Sequence, residues 1–211
     1  MMRRLVGCAL LLLAAAAPAA AQFSLVRTPP TRVILLVDSS GATQTHFQRF
    51  RTALVDFLDA LPPNVEVGLI STGGQMRVRQ APTDELAKVR RAAESFAPDG
   101  GANAFLDALV EADQRFMKPA GDKRQIFIVI STDSEARTEP RVDDYNRFLN
   151  DFLQRGGIAH AFVFRDRQMG LVSNVLDNLT RNTRGTMQVM SLSTTLPAAM
   201  QELALKIAEG K

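Results

Sequence analysis

The sequence predicts a three-layer α/β/α fold of Rossmann-like type, with a mostly parallel six-stranded sheet and one antiparallel edge strand. Three observations predict it. Residues 33–37 and 126–130 are apolar at every position, and 158–164 at every position but His160. Strands that are apolar on both faces are buried on both faces, as in a parallel sheet flanked by helices. Segments with apolar residues at helical spacing alternate with these strands. Residues 76–80 instead alternate in polarity, with Arg77 and Arg79 on one side, as suits an antiparallel strand at an exposed edge.

The elements follow in order. After the strand at 33–37, residues 44–61 place Phe47, Phe50, Leu54, Phe57 and Leu61 on one helical stripe, ended by Pro62 and Pro63. Residues 65–71 form the second strand, and Gly73-Gly74 turns the chain into the edge strand. A helix is predicted over 83–96, with Thr83 as N-cap before Asp84 and Glu85. Asp99-Gly100-Gly101 breaks the chain, and a helix over 103–117 buries Phe105, Leu109, Ala112 and Phe116. After the strand at 126–130, a helix over 142–154 stops at Gly156-Gly157. The strand at 158–164 leads to a helix over 171–180, with Val172, Leu176 and Leu179 inward. The last strand is 187–190. The last helix, 195–209, carries Leu196, Met200, Leu203 and Ile207 as its stripe.

Residues 1–21 read as a secretory signal: Arg3 and Arg4, an apolar run, then Ala19-Ala20-Ala21 before Gln22. Cleavage there leaves 190 of the 211 residues, lowers the net charge from +3 to +1, and removes the single cysteine, Cys8. An exported domain, periplasmic or secreted, follows. Leu5-Val6-Gly7-Cys8 is similar to a lipoprotein box, but the apolar core follows this cysteine rather than preceding it. Retention of the segment as a signal anchor is the remaining alternative. Residues 22–32, with Pro29-Pro30, form a linker, and 33–209 form one domain. A cysteine-free domain excludes disulfides, thiolate metal sites and a cysteine nucleophile. Near-neutral charge argues against nucleic acid as a partner. No stretch after residue 21 is apolar over a length that spans a membrane.

In folds of this type ligands gather at the carboxyl ends of the strands. There the chain has Asp38-Ser39-Ser40-Gly41-Ala42, Asp99-Gly100-Gly101-Ala102-Asn103 and Ser131-Thr132-Asp133. With the order of elements, these loops resemble the von Willebrand factor type A domain over nearly the whole of 33–209. The resemblance implies a metal-ion-dependent adhesion site. Its oxygens come from Asp-x-Ser-x-Ser, a Thr and an Asp, they hold Mg²⁺, and a partner's acidic group completes the coordination. Asp38, Ser40 and Asp133 match that pattern. Ala42 stands where the second Ser is expected and Ala102 where the Thr is expected, so two of five oxygen donors are missing. Thr43 and Asn103 are adjacent to these gaps, but a neighbouring residue is expected to point elsewhere. Two readings stay open: Asp38 and Asp133 serve as caps and turn formers, or with water they hold Mg²⁺ or Ca²⁺ weakly.

Other candidates carry less. His160 in an apolar strand reads as a core histidine, and His46 as a residue of the first helix. Neither is paired for zinc. Ser40 lacks the Gly-x-Ser-x-Gly context of a hydrolase nucleophile. A haloacid-dehalogenase-type phosphoryl transferase would need a second Asp where Ser40 stands. No phosphate-binding glycine motif is present. Lys88, Arg90 and Arg91 sit among acids as a solvated face, and the sequon at Asn178 falls in a helix. The reading is a non-enzymatic exported domain that binds a protein partner through the strand-end loops, with weak or no cation. The alternative is a cell-envelope assembly component that uses a helical face and no metal.

Overall fold

The computed structural model describes residues 30–133, 142–164 and 170–210. The signal read over 1–21 and most of the linker lie outside them. Twelve main elements are described. They are β1 (Thr31–Val37), α1 (Phe47–Ala60), β2 (Val65–Ser71), β3 (Arg77–Thr83), α2 (Leu86–Glu94) and α3 (Phe105–Ala112), followed by β4 (Arg124–Thr132), α4 (Val142–Gln154), β5 (Ile158–Phe164), α5 (Leu171–Asn182), β6 (Met187–Met190) and α6 (Leu196–Ala208).

One six-stranded sheet runs β3-β2-β1-β4-β5-β6. All pairs are parallel except β2 with β3. The alternation of side chains along β1 divides the core. Val33, Leu35 and Val37 pack with α1, α2 and α6, while Ile34 and Leu36 pack with α3, α4 and α5. All five are fully buried. This is why the strand is apolar throughout.

Three predicted boundaries move. β3 runs on to Thr83, which pairs with Val67 across irregular register that takes in Pro82. A proline is tolerated at such an edge. Thr83 does accept the Glu85 N–H (3.1 Å), but as the last strand residue, and α2 starts only at Leu86. The helix expected over 103–117 is α-helical only to Ala112. It then widens into a π-helical turn over Asp113–Met117, which keeps Asp113 and Met117 both buried. Asp113 is ion-paired with Arg155, whose Nε donates to Gln125 Oε1 at 3.1 Å. Burial pushes the Asp113 carboxyl up to about 6 despite that guanidinium.

β1 sits where the strand order reverses, with β2 on one side and β4 on the other. Val37 is in register with Ser71 and with Ile130. The loop after β1 therefore emerges at the switch point of the sheet, where the loops of β2 and β4 also end.

Candidate functional site

The strand-end rim is laced together by backbone. The N–H groups of Asp99 and Gly100 donate to Ser39 O at 2.9 and 3.1 Å, Gly41 N–H to Gly101 O at 3.1 Å, and Gly74 N–H to Ala102 O at 2.7 Å. Gly73 admits this approach, since a Cβ there would stand 2.6 Å from Ser39 O.

Asp38 is 1% exposed and its carboxylate is met by four donors. Oδ1 accepts the Ser40 N–H at 2.8 Å. Oδ2 accepts the Thr132 N–H (3.0 Å), the Thr132 hydroxyl (2.5 Å) and Asn103 Nδ2–H (3.1 Å). Asn103 thus corrects the expectation that it points away. It is fully buried, its Nδ2 also donates to Ser131 Oγ at 2.8 Å, and its Oδ1 accepts the Thr72 hydroxyl at 2.7 Å. The isolated pairing of Gly73 with Asn103 draws the residue inward. Thr43 follows the expectation: its hydroxyl donates to Ser40 O at 2.7 Å.

Asp133 caps the start of α5. It accepts the N–H groups of Gly170 (2.6 Å) and Ser173 (3.0 Å) and the Ser173 hydroxyl (2.5 Å). A carboxylate there meets both the free amides and the positive end of the helix. Ser40 Oγ is buried without a partner among the described residues. Ala42 is exposed and Ala102 half-buried, and neither offers oxygen.

A third carboxylate, Asp99, escapes a sequence reading that takes it only as part of a chain break. Its Oδ2 accepts the hydroxyls of Ser39 (2.8 Å) and Ser71 (2.7 Å). Its Oδ1 pairs with Arg79 at 2.6 Å and Arg77 at 3.2 Å. Arg79 Nε also donates to Ser71 Oγ at 2.9 Å, and the guanidinium lies over the Phe96 ring. Burial would raise this carboxyl, but the Ser71 and Ser39 hydroxyls and Arg79 outweigh it and hold it below its ordinary value. The two arginines read as edge guards are thus also the counter-ions of the rim. A lone acid facing two alternating arginines was the signal available.

The histidines lie apart. The His46 ring stacks on Phe164 at 5.1 Å, with its Nδ1 buried and unpartnered among the described residues. His160 lies in β5 against Thr186, with Nδ1 and the Thr186 hydroxyl 2.9 Å apart.

Residues 33–135 match a family model described as von Willebrand factor type A domain. No curated protein matches the chain. Among solved structures, a von Willebrand factor type A protein from Catenulispora acidiphila superposes with TM-score 0.71 at 18% identity, over 85% of this chain and 43% of that one. This chain therefore spans less than half of that protein. The conserved hypothetical protein BatB from Bacteroides thetaiotaomicron gives TM-score 0.64 at 18% identity, over 85% of this chain and 99% of that one. Proximal thread matrix protein 1 from the mussel byssus, in a form with zinc at its adhesion-site motif, gives 0.66 at 14% identity, over 84% of this chain and 46% of that one. Residues 33–135, with the strand-end loops, thus match the von Willebrand factor type A domain, and the fold of that domain is shared over most of the chain.

Proposed function

We propose that this is an exported, non-catalytic domain that binds a protein partner through its strand-end rim without a resident cation. The observation that supports this is the fourfold hydrogen bonding of Asp38. The Asn103 amide, the Thr132 hydroxyl and two backbone N–H groups do the neutralising that a metal would do. Asp133 is turned toward α5, Ala42 and Ala102 bring methyl groups, and Ser40 Oγ is the one of the matching side chains left uncommitted among the described residues. This donor set does not fit a tightly held hard cation, which wants several free oxygens in octahedral arrangement. Among the described residues of these loops, Ala42, Gln44, Gln75 and Gly101 are exposed, with the half-exposed Arg77 beside them. Recognition there rests on shape and hydrogen bonds.

A second reading has its own place. A cavity of about 360 Å³ between α3 and α4 has Leu106, Val110 and Phe148 in its wall and acids such as Glu111 at its mouth, and it would serve helical-face assembly. Capture of partners by the full chain separates the two readings. Ala42→Arg and Gln75→Arg, which leave the buried network intact, are expected to lose partners at least tenfold, with no change on adding a chelator. Retained capture in those variants, with loss in Val110→Arg, would move the function to the helical face.

A further inference from the structure

Away from the rim, a cavity of about 190 Å³ opens between α6 and the strands β5 and β6. Its floor is apolar, with Phe162 1% and Leu203 6% exposed. Its mouth is not.

Arg184 stands at the mouth with φ of 58°, and among the described residues no other non-glycine has positive φ. It follows Thr183, the C-cap of α5. Its N–H donates to Arg181 O and the Gly185 N–H donates to Thr180 O. That pattern favours glycine at the first of the two positions. Here glycine occupies the second, where a Cβ would stand 1.7 Å from Ala159 O. Arginine therefore holds a left-handed backbone that disfavours any side chain. Nothing in the turn asks for that side chain, and its guanidinium makes no ion pair with the described residues. Strain of this kind persists where the side chain serves something else.

His160, 8% exposed, supplies the second group. Its Nδ1 accepts the Thr186 N–H at 3.2 Å, so the ring proton sits on Nε2. That N–H has no partner among the described residues. Burial, with the positive charges of Arg124 and Lys206, depresses the ring to about 4 and keeps it a neutral donor. Lys206 also lines the cavity but shares its charge with Glu202 at 2.7 Å. The balance is one uncommitted guanidinium and one neutral donor above an apolar floor.

We infer that this cavity binds a small organic carboxylate on a branched apolar body. Arg184 and the Nε2–H of His160 meet the carboxylate, and Phe162 and Leu203 meet the body. A planar guanidinium fork matches a carboxylate. The volume, below that of ordinary drug-sized sites, limits the body to a few carbons. The carboxylate has two sources, a free acid or the C-terminus of a peptide ending in an apolar residue. The inference stands apart from the rim and does not depend on it.

The test is a ¹⁵N–¹H NMR titration of the full chain. Its probes are 3-methylbutanoate, 3-methylbutanamide, and a short peptide ending in leucine with a free or an amidated terminus. Saturable shifts at Arg184, Thr186 and Gln188 are expected with a carboxylate form, and binding about tenfold weaker or absent with its amide. The tighter carboxylate identifies the source. Arg184→Gly is the decisive variant, because it should lose binding about tenfold while its melting temperature rises as the left-handed backbone is relieved. Ala199→Phe, which fills the cavity from α6, should also abolish the shifts. Undiminished binding in Arg184→Gly, equal binding of acid and amide, or no saturable shift with either carboxylate would overturn the inference.

Discussion

The acids of the strand-end rim and the polar groups of the cavity beside α6 belong to the same sheet but are satisfied in opposite ways. At the rim, Asp38, Asp99 and Asp133 collect hydroxyls, amides and guanidinium groups from this chain. At the cavity, Arg184 and the Nε2–H of His160 are left over among the described residues. Polar groups that answer one another hold the fold, because a buried group without its partner loses its full desolvation energy. Groups left over are where a ligand finds binding energy.

The strongest way to break this contrast is to remove Asp38. Asp38→Ala takes away the carboxylate oxygen that the Thr132 hydroxyl and the Asn103 amide share, and with it the acceptor of two backbone N–H groups. The expected loss is about 4 kcal/mol by urea denaturation, independent of added Mg²⁺. A loss under about 1 kcal/mol would mean that the carboxylate was not structural.

Acid sensitivity sharpens the comparison from the cavity side. The folded state holds His160 at about 4, below its unfolded value, so the unfolded chain takes up the proton first. Acidification from pH 6.5 toward 4 therefore lowers stability through this residue, by roughly 2 kcal/mol. Asp113, raised to about 6, acts with the opposite sign over nearly the same window, since the folded state binds its proton more tightly. Urea midpoints at pH 4.5 and 6.5 should show His160→Gln less acid-sensitive than the parent and Asp113→Asn more so. The same ordering reversed would contradict both assignments.

The smallest effect is expected from restoring the two missing oxygens. Ala42→Ser with Ala102→Thr is expected to change stability by less than about 1 kcal/mol, because Asp38 and Asp133 stay committed to their present donors. A melting temperature that now climbs with Mg²⁺ would show that those commitments yield to a cation.

The layered fold was legible because β1, β4 and β5 are apolar on both faces and the helical stripes repeat between them. The loops were legible because Asp38, Ser40 and Asp133 sit at strand ends. Asn103 was not, because its inward turn depends on Gly73 and Thr72, about thirty residues earlier in the chain. Asp99 was not, because its donors Ser39, Ser71 and Arg79 meet only after three strands pair. The π turn was invisible because Asp113 and Met117 keep an ordinary helical spacing while the backbone between them widens.

The pairing of β1 has a mechanical consequence. All seven of its residues are in parallel register with β2 on one side and β4 on the other. Tension entering through Pro30 runs along the strand and loads both ladders in shear, so they must slip together rather than open one bond at a time. Rupture under load follows the unfolding rate rather than equilibrium stability. A tether on that side would grip the domain by its strongest seam, whereas one at the end of α6 would pull on a single helix.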